Sequence, residues 1–417
     1  MQAETSMAGR TWFLAVLLLL SPGVYAGVGG LADVDWLMRE AEELWGRGHS
    51  DQALQKFGQA LTRVREVRER GREWQILDRI ARVHLEQEEF QQALEHFQQG
   101  LKVALDLGDR SAQAVELSAI GETYNLLRQP QQAIATYESL LALEEDRKDL
   151  VGQWRAHYGL GFSHKANGAP AQAVPYMQRA LELARALKDQ SFELASLQEL
   201  EADYAGLGDY AQAARYSEEI VQLGRAIGDP KLVAEKLSTS GYAYEQVGSF
   251  ERAATQYQAA LAAYRELGDA RGGWQALDDL GRLALKRGDT AGAVERYQEA
   301  LKLARQAGYR EGQVVALEHA AVAYRSTKDY AKATRTYQEA LKAAKETKLR
   351  EYEWVVLSGM GSLYAETGNT KSAVSHYQQA LTVARQLGDK DAEKQLHDAM
   401  AQLGKPAESD AKPRRKR

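Results

Sequence analysis

The feature that most constrains this chain is an alanine that recurs every forty residues without insertion or deletion. A strict period of this length is typical of repeat proteins, in which each copy is one supersecondary unit that stacks on its neighbours. Four residues after this alanine an aromatic residue stands in seven of nine copies, with Met177 and Ser217 as the exceptions, and eight residues after it stands Leu or Val. Offsets of four and eight lie on one face of an α-helix, so each copy contains a helix with a buried stripe. The alanines are Ala53, Ala93, Ala133, Ala173, Ala213, Ala253, Ala293, Ala333 and Ala373.

A second helix is predicted before each of these alanines. Twelve residues before the alanine stands a small residue in every copy except one, where Glu201 replaces it. Glycine costs about 1 kcal/mol against alanine inside a helix, so its recurrence at one position indicates that a neighbouring helix packs closely there. Further glycines predict the turn between the two helices. The small residues are Ala41, Ala81, Gly121, Gly161, Gly241, Gly281, Ala321 and Gly361, and the turn glycines are Gly48, Gly168, Gly208, Gly248, Gly288 and Gly368.

These residues resemble the tetratricopeptide repeat (TPR), whose pattern is Leu-Gly-x2-Tyr in a first helix and Ala-x3-Tyr followed by Ala-Leu in a second. A clear copy is Leu280-Gly281 with Ala293, Tyr297 and Ala300-Leu301. The usual proline at the repeat end is absent, and corners such as Gly268-Asp269 stand in its place, as in the forty-residue repeats of Pins/LGN-type polarity scaffolds and many bacterial TPR proteins. The resemblance implies an all-α, right-handed superhelical solenoid of nine helix-turn-helix repeats over residues 31–390, with the first helices on its concave side.

The two ends of the chain differ from the repeats. Residues 391–404 predict an amphipathic capping helix, and residues 405–417 a basic tail that is disordered by composition. At the other end, Arg10 precedes a short apolar run and a Ser-Pro-Gly turn, the order of a secretory signal peptide over residues 1–26 that is cleaved near Ala26. An uncleaved anchor or a buried helix is the alternative. We therefore expect a periplasmic or secreted protein with no transmembrane segment in the mature chain.

Composition and spacing argue against catalysis. The chain has no cysteine, which suits an oxidising compartment and equally many cytosolic proteins, and its 53 basic and 58 acidic residues give no reason to expect nucleic-acid binding. His157 and His164 share a helix face without a third ligand, so no metal is expected, and no motif indicates a cofactor or an enzyme. The adjacent carboxylates Asp278-Asp279 and Glu144-Glu145 are interpreted as solvated faces. A row of tryptophans is interpreted as packing on the preceding repeat, with an exposed binding stripe as the alternative: Trp74, Trp154, Trp274 and Trp354.

Partner contacts are expected on one side of the first helices. In TPR proteins a ligand is usually contacted from the positions three before, one after and four after the small residue. We call the residues at these positions the predicted binding face; its middle repeats carry aromatic residues and its flanks carry charges. The pattern that docks the acidic tail of a chaperone is missing. The predicted binding face comprises Asp78, Arg82, Ser118, Glu122, Asn125, Tyr158, Phe162, Lys165, Gln198, Ser238, Tyr242, Glu245, Asp278, Arg282, Glu318 and Arg325.

Two functions from different classes fit this pattern. The first is an extracytoplasmic scaffold or adaptor that binds a protein or peptide in the concave groove. The alternative is a sensor that changes superhelical shape when it binds a ligand or peptide, although no effector domain accompanies the repeats. The formal charge of -5 includes a basic tail, so the body is more acidic than the whole and favours neutral or basic partners. Oligomeric state and the identity of the partner are left open by the sequence.

Overall fold

The structure is a computed structural model that describes residues 29–403, and this part of the chain contains helices and no strand. The predicted signal peptide and the basic tail lie outside the described residues. The helices are joined by two or three residues. They are α1 (Gly29–Gly46), α2 (Ser50–Glu66), α3 (Arg70–Glu86), α4 (Phe90–Leu107), α5 (Arg110–Leu126), α6 (Pro130–Arg147), α7 (Leu150–Ala166), α8 (Pro170–Leu187), α9 (Gln190–Gly206), α10 (Tyr210–Ile227), α11 (Pro230–Gln246), α12 (Phe250–Leu267), α13 (Ala270–Lys286), α14 (Thr290–Gln306), α15 (Arg310–Ser326), α16 (Tyr330–Thr347), α17 (Arg350–Glu366), α18 (Thr370–Leu387) and α19 (Lys390–Gln402).

The chain divides into two compact units. Unit 1 ends at Asn167 and contains α1 to α7, and unit 2 begins at Gly168 and contains α8 to α19. Within each unit every helix packs on the next one along the chain, and several odd-numbered helices also touch the next odd-numbered helix. This consecutive packing is typical of a TPR solenoid and confirms the predicted all-α fold. The count of nine repeats, their bounds and the handedness of the superhelix stay predictions.

The predicted close approach between the two helices of a copy is present in unit 1. The ring of Tyr137 from α6 lies between Gly121 of α5 and Gly159 of α7. A Cβ atom added to Gly121 would lie 2.8 Å from this ring, and one added to Gly159 would lie 2.4 Å from it. Contacts this short do not exist between real atoms, so both positions require glycine while the ring stays where it is.

The same contact recurs in unit 2. A Cβ on Gly281 would lie 2.5 Å from the ring of Tyr297, and one on Gly241 would lie 2.7 Å from the ring of Tyr257. Both rings are buried. The aromatic residue of the second helix therefore fills the space that the small residue of the first helix leaves open, as the sequence predicts.

Helix ends follow the sequence signals. The turn glycines, such as Gly248 and Gly288, have φ between 74° and 79°, which is the left-handed region that glycine occupies without strain. At the corner between copies, Asp269 accepts a hydrogen bond from the backbone N–H of Gly272 at 2.9 Å. The Asp of the Gly-Asp corner is therefore an N-cap that satisfies a free donor at the start of the next first helix. Five other aspartates cap first helices in the same way: Asp109, Asp149, Asp189, Asp229 and Asp389.

A helix lies where the capping helix is predicted. This helix, α19, buries Ala392 and Leu396 in a cluster with Leu381 and Ala384 of α18. Its remaining residues are mostly exposed or half-buried, which suits the end of an array. Between residues 29 and 403 no helix is both long enough and apolar enough to cross a bilayer.

Replacing Gly121 by alanine should destabilise unit 1. The added methyl group meets Tyr137, and this ring cannot move aside because Gly159 lies against its other side. Overpacking of this kind costs about 1–3 kcal/mol, more than the roughly 1 kcal/mol that alanine gains over glycine in a helix. The urea midpoint of Gly121→Ala, followed by circular dichroism, should therefore fall. Gly58→Ala in α2 is the matched control, since nothing lies within 4 Å of the added Cβ, and its midpoint should rise. Shifts of the same sign would contradict the packing argument.

Candidate partner-binding face

In unit 2 the predicted binding face is centred on a buried carboxylate, Glu245 of α11. Its Oε2 accepts a hydrogen bond from the Tyr257 hydroxyl at 3.0 Å, and its Oε1 is 2.6 Å from Nζ of Lys286. Arg282 of α13 forms an ion pair with the same oxygen. Arg282 also donates to Asp279 at 2.7 Å. The guanidinium is thus held between two carboxylates in a fixed direction while about a third of its side chain stays accessible to solvent.

Tyr242 is the exposed aromatic residue of the face in unit 2. It lies three residues before Glu245 on α11, and 46% of its surface is accessible. Its ring makes an edge contact with Tyr210, at 6.1 Å between ring centres. Gln198 on α9 is also exposed. Consecutive first helices therefore present an amide, a phenol and a guanidinium at predicted face positions.

A second buried carboxylate, Asp278 of α13, pairs with a histidine of the following first helix. Its Oδ1 is 2.5 Å from Nδ1 of His319 in α15, and Nε2 of the same ring lies 3.7 Å from Glu318. Burial disfavours the imidazolium, but the hydrogen bond and charge of Asp278, followed by the charge of Glu318, outweigh it and raise the pKa of His319. Burial raises the pKa of Glu318 as well. These groups link α13 to α15 on the face.

In unit 1 the corresponding ion pair lies within one helix. Arg82 Nε donates to both carboxylate oxygens of Asp78, one turn earlier on α3, at 2.9 and 2.8 Å. Glu122 of α5 is half-buried, and burial raises its pKa against the opposing charges of Arg82 and Arg155. Ser118, also on α5, is half-buried.

The other face residues of unit 1 lie on α5 and α7. Asn125 donates to the hydroxyl of Ser163 at 2.9 Å, which joins the two helices. Tyr158 stacks on Trp154 with 5.0 Å between ring centres and is half-buried, as is Lys165. Phe162 is 45% exposed, which makes it the accessible aromatic residue of the face in this unit.

Three predicted face residues do not face outward as expected. Asp78, Glu245 and Asp278 are buried. The physical reason is that an unpaired carboxylate at a first-helix contact is costly, so each is held by an ion pair or a hydrogen bond that covers it. They orient Arg82, Arg282 and His319 and leave contact with a partner to more exposed neighbours.

One further expectation needs correction. Asp278 and Glu144 are not solvated, because Asp278 pairs with His319 and Glu144 is buried beside Arg147, whose Nη1 is 2.7 Å away. The tryptophan row is confirmed as packing at Trp154 and Trp274, which are buried. Trp274 shares a core cluster with Leu261 and Tyr264 of the preceding repeat, as predicted, and its indole N–H also donates to the carbonyl of Gly312 in the following first helix at 3.1 Å.

Sequence reasoning missed a buried polar contact inside the one irregular copy. Glu201 replaces the small residue of its copy, and Ser217 replaces the aromatic residue of the same copy. Ser217 donates a hydrogen bond to Glu201, and Lys236 of α11 forms an ion pair with it. The signal was available, since both exceptions fall in one copy at positions that pack on each other in the other copies.

A buried carboxyl in unit 1 was missed as well. Glu116 of α5 is fully buried and lies against Gly100 of α4, where a Cβ atom would be 2.4 Å from its Oε1. Burial, followed by the charge of Asp78, raises its pKa to about 9, although the Trp74 indole and Arg82 oppose the shift. Glu116 is therefore protonated at neutral pH. Among residues 29–403, no group of three or more His, Asp or Glu side chains is arranged to hold a metal ion.

Helical hairpins with a forty-residue period, stacked through a small residue and a ring, define a helical repeat protein. Sequence models described as tetratricopeptide repeat match residues 38–102, 116–151, 232–306, 276–346 and 312–386. Together these matches cover more than half of the chain, so the chain belongs to the tetratricopeptide repeat family. This repeat is a protein-interaction fold that is generally not catalytic.

Several solved structures are similar to this chain at low identity. The C-terminal part of a TPR protein from Cytophaga hutchinsonii is 17% identical, with 64% of this chain and 94% of that chain covered and a TM-score of 0.48. A signal transduction ATPase with a tetratricopeptide repeat sensor from Pyrococcus horikoshii is 17% identical, with coverages of 76% and 49% and a TM-score of 0.47. BtubC from P. vanneervenii is 18% identical, with coverages of 53% and 93% and a TM-score of 0.44. Comparison with curated proteins gives no match.

Glu116 makes stability depend on pH in a direction opposite to that of most acidic residues. Its folded-state pKa of about 9 lies above the ordinary value of 4.5, so unfolding releases its proton at any pH between these two values. Its contribution to the stability of unit 1 is therefore fully present near pH 4 and is lost progressively as pH rises to about 9.

Glu116→Gln keeps the shape of the side chain and removes the titration. Near pH 4 the urea midpoint of Glu116→Gln should match that of the wild type, and near pH 8 it should be higher. The corresponding difference in the free energy of unfolding is at most about 1.4 kcal/mol for each pH unit above 4.5. Glu95→Gln, at an exposed position of α4, is the control and should change neither midpoint. If the urea midpoints of Glu116→Gln and the wild type change with pH in parallel, the raised pKa of Glu116 is contradicted.

Proposed function

We propose that this protein is a scaffold or adaptor that binds a peptide or an extended segment of a partner protein on the predicted binding face of unit 2. The observation that carries the proposal is Tyr242, an aromatic residue that is 46% exposed on α11 although the repeat does not require an aromatic residue there. One other copy has an aromatic residue at this position, Phe162, and the remaining copies have Glu42, Arg82, Glu122, Ala202, Arg282, Val322 and Ser362. Tyrosine and arginine are the side chains that most often dominate binding energy in protein interfaces.

The neighbours of Tyr242 support this role. Arg282 is held in place by Glu245 and Asp279 before any partner arrives, so little conformational entropy is lost when it binds. Tyr242 itself rests against Tyr210, which limits the freedom of its ring. An oriented guanidinium beside a supported phenol suits hydrogen bonding and stacking with a peptide backbone or side chains.

The role of Tyr242 can be tested by displaying random peptides against the immobilised protein and measuring the affinities of the enriched sequences. Tyr242→Ala should weaken these peptides by about thirtyfold, the effect of a typical interface hot spot. Ile227→Ala is the matched control, since Ile227 is an apolar residue of similar exposure at the end of α10 and lies off the predicted face. Equal affinities for the wild type and Tyr242→Ala, or loss in the control as well, would reject the face as the binding site.

We also propose that the protein acts outside the cytoplasm, as a periplasmic or secreted protein. The support is the order of a basic residue, an apolar run, a Ser-Pro-Gly turn and Ala26 near the N-terminus. N-terminal sequencing of the native protein after cell fractionation should find a start at Gly27 in the extracytoplasmic fraction. An intact N-terminus in the cytoplasm would refute the export proposal and leave the repeat fold unaffected.

A further inference from the structure

Unit 2 contains a second feature that packing does not explain, a cavity of about 310 Å³ beside the first turns of α11 and α13. Three aromatic side chains line it: Tyr264 from the end of α12, Trp274 from α13 and Tyr309 from the connection before α15. The polar side chains of its wall are those of Glu235, Asp269, Arg271 and Gln275. A cavity of this volume is large enough for one side chain or one small organic molecule.

Two of the three rings depart from the repeat pattern. The position of Tyr264 holds alanine in most other copies, and the position of Tyr309 holds the N-cap aspartate in most others. Tyr309 makes no capping hydrogen bond. The other copies therefore fold without these rings. In the present copy the rings of Tyr264 and Tyr309 both lie beside Trp274. The alanines are Ala104, Ala184, Ala304, Ala344 and Ala384, and the aspartates are Asp109, Asp149, Asp189, Asp229, Asp269 and Asp389.

Glycines make room for these rings. A Cβ on Gly272 would lie 2.3 Å from the ring of Tyr264, and one on Gly312 would lie 2.3 Å from the ring of Tyr309. Trp274 and Tyr309 meet edge to face, with 5.3 Å between ring centres and 87° between ring planes. The indole N–H of Trp274 is already bonded to Gly312, so the indole offers the cavity only its ring. The rings are thus packed in place without a ligand.

The charges around the rings favour a cation. Glu235 and Asp269 line the cavity, and the charge of Glu311 acts on the Tyr309 hydroxyl. The opposing cations are Arg271 in the lining and Lys231, whose Nζ is 3.8 Å from Oε1 of Glu235, so carboxylates outnumber cations by three to two. Arg271 is exposed, and its guanidinium carbon lies 5.4 Å from the centre of the Tyr309 ring. A positive group is therefore already attracted to the outer ring of the cavity, as expected for an aromatic face.

We propose that this cavity binds one organic cation, an alkylammonium or quaternary ammonium group, between the rings of Tyr264, Trp274 and Tyr309 and the carboxylates of Glu235 and Asp269. Aromatic rings with nearby carboxylates are the chemistry that recognises such groups. The cation is either a free small molecule or the basic side chain of a peptide.

The position of the cavity connects it to the predicted binding face. Glu235 precedes Tyr242 by seven residues on α11, so both lie on one side of that helix, about 10 Å apart along its axis. A peptide that crosses Tyr242 can place a basic side chain in the cavity. This part of the inference rests on the proposed function, whereas the binding of a free ammonium compound does not.

Choline and its uncharged isostere 3,3-dimethylbutan-1-ol separate cation recognition from apolar binding. Titration of the full chain, followed by calorimetry, should give saturable binding of choline, with the isostere at least about tenfold weaker. Equal binding of the two compounds would overturn the proposal, and so would the absence of saturable choline binding.

Variants locate the site. Tyr309→Ser removes one ring and supplies a good N-cap residue, so the variant should fold and bind choline about tenfold more weakly. Tyr309→Phe should bind choline as the wild type does. Glu235→Gln should also weaken binding, whereas Glu295→Gln, at an exposed position of α14, should not. Unchanged choline affinity in both Tyr309→Ser and Glu235→Gln would place the cation elsewhere and overturn the assignment.

Peptides that carry one trimethyllysine, or norleucine in its place, distinguish the two sources of the cation. If the trimethyllysine peptide binds more tightly than choline, and Tyr242→Ala removes only this gain, the cation belongs to a peptide on the binding face. If the peptide binds no more tightly than choline while Tyr309→Ser weakens both, the cavity is a site for a free cation and the peptide-binding proposal fails alone. If the norleucine peptide binds as tightly as the trimethyllysine peptide, the positive charge contributes nothing and the cation site is overturned.

Discussion

The contact between a second-helix ring and a small first-helix residue is the interaction on which the rest of the structure depends. It sets the distance between the helices of a hairpin, and in unit 1 one ring, Tyr137, spaces two first helices through Gly121 and Gly159. One of these rings, that of Tyr257, also reaches the predicted binding face. The hydroxyl of Tyr257 bonds to Glu245, and Glu245 in turn holds Arg282. The residue that builds the repeat therefore also orients a charge on its surface, so a change at Tyr257 would alter both the packing and the predicted binding face of unit 2.

The irregular copy shows that this contact requires side chains that match in both volume and polarity. Where the small residue becomes Glu201, the aromatic residue becomes Ser217, and the larger side chain is accommodated by the smaller one. Tyr216, one residue earlier, stacks on Tyr204 instead. Glu201 is buried, and a buried carboxylate needs partners, which Ser217 and Lys236 supply. A substitution at one of these two positions alone would leave either a cavity or an unpaired charge.

Most of the fold could be predicted from the sequence, because a forty-residue period records which residues the array requires. The Gly-Asp corners and the turn glycines lie where the pattern places them, with left-handed backbone at Gly248 and a capping carboxylate at Asp269. The burial of Asp78 and Glu245 could not be predicted in the same way. Helical periodicity tells which side of a helix a residue occupies, but burial also depends on the side chains of neighbouring helices that pair with it and cover it.

Positions where a repeat departs from its own pattern carry information of two kinds. Glu201 and Ser217 compensate each other inside the core, so their departure is explained by packing. Tyr264 and Tyr309 each enlarge a position that other copies fill with alanine or aspartate, and Gly272 and Gly312 make room for their rings. Both rings also line a cavity beside carboxylates, which packing between helices does not require. Tyr264 is buried and Tyr309 is half-buried, so the array already stabilises both rings, and the proposed cation would add contacts chiefly to the accessible part of Tyr309.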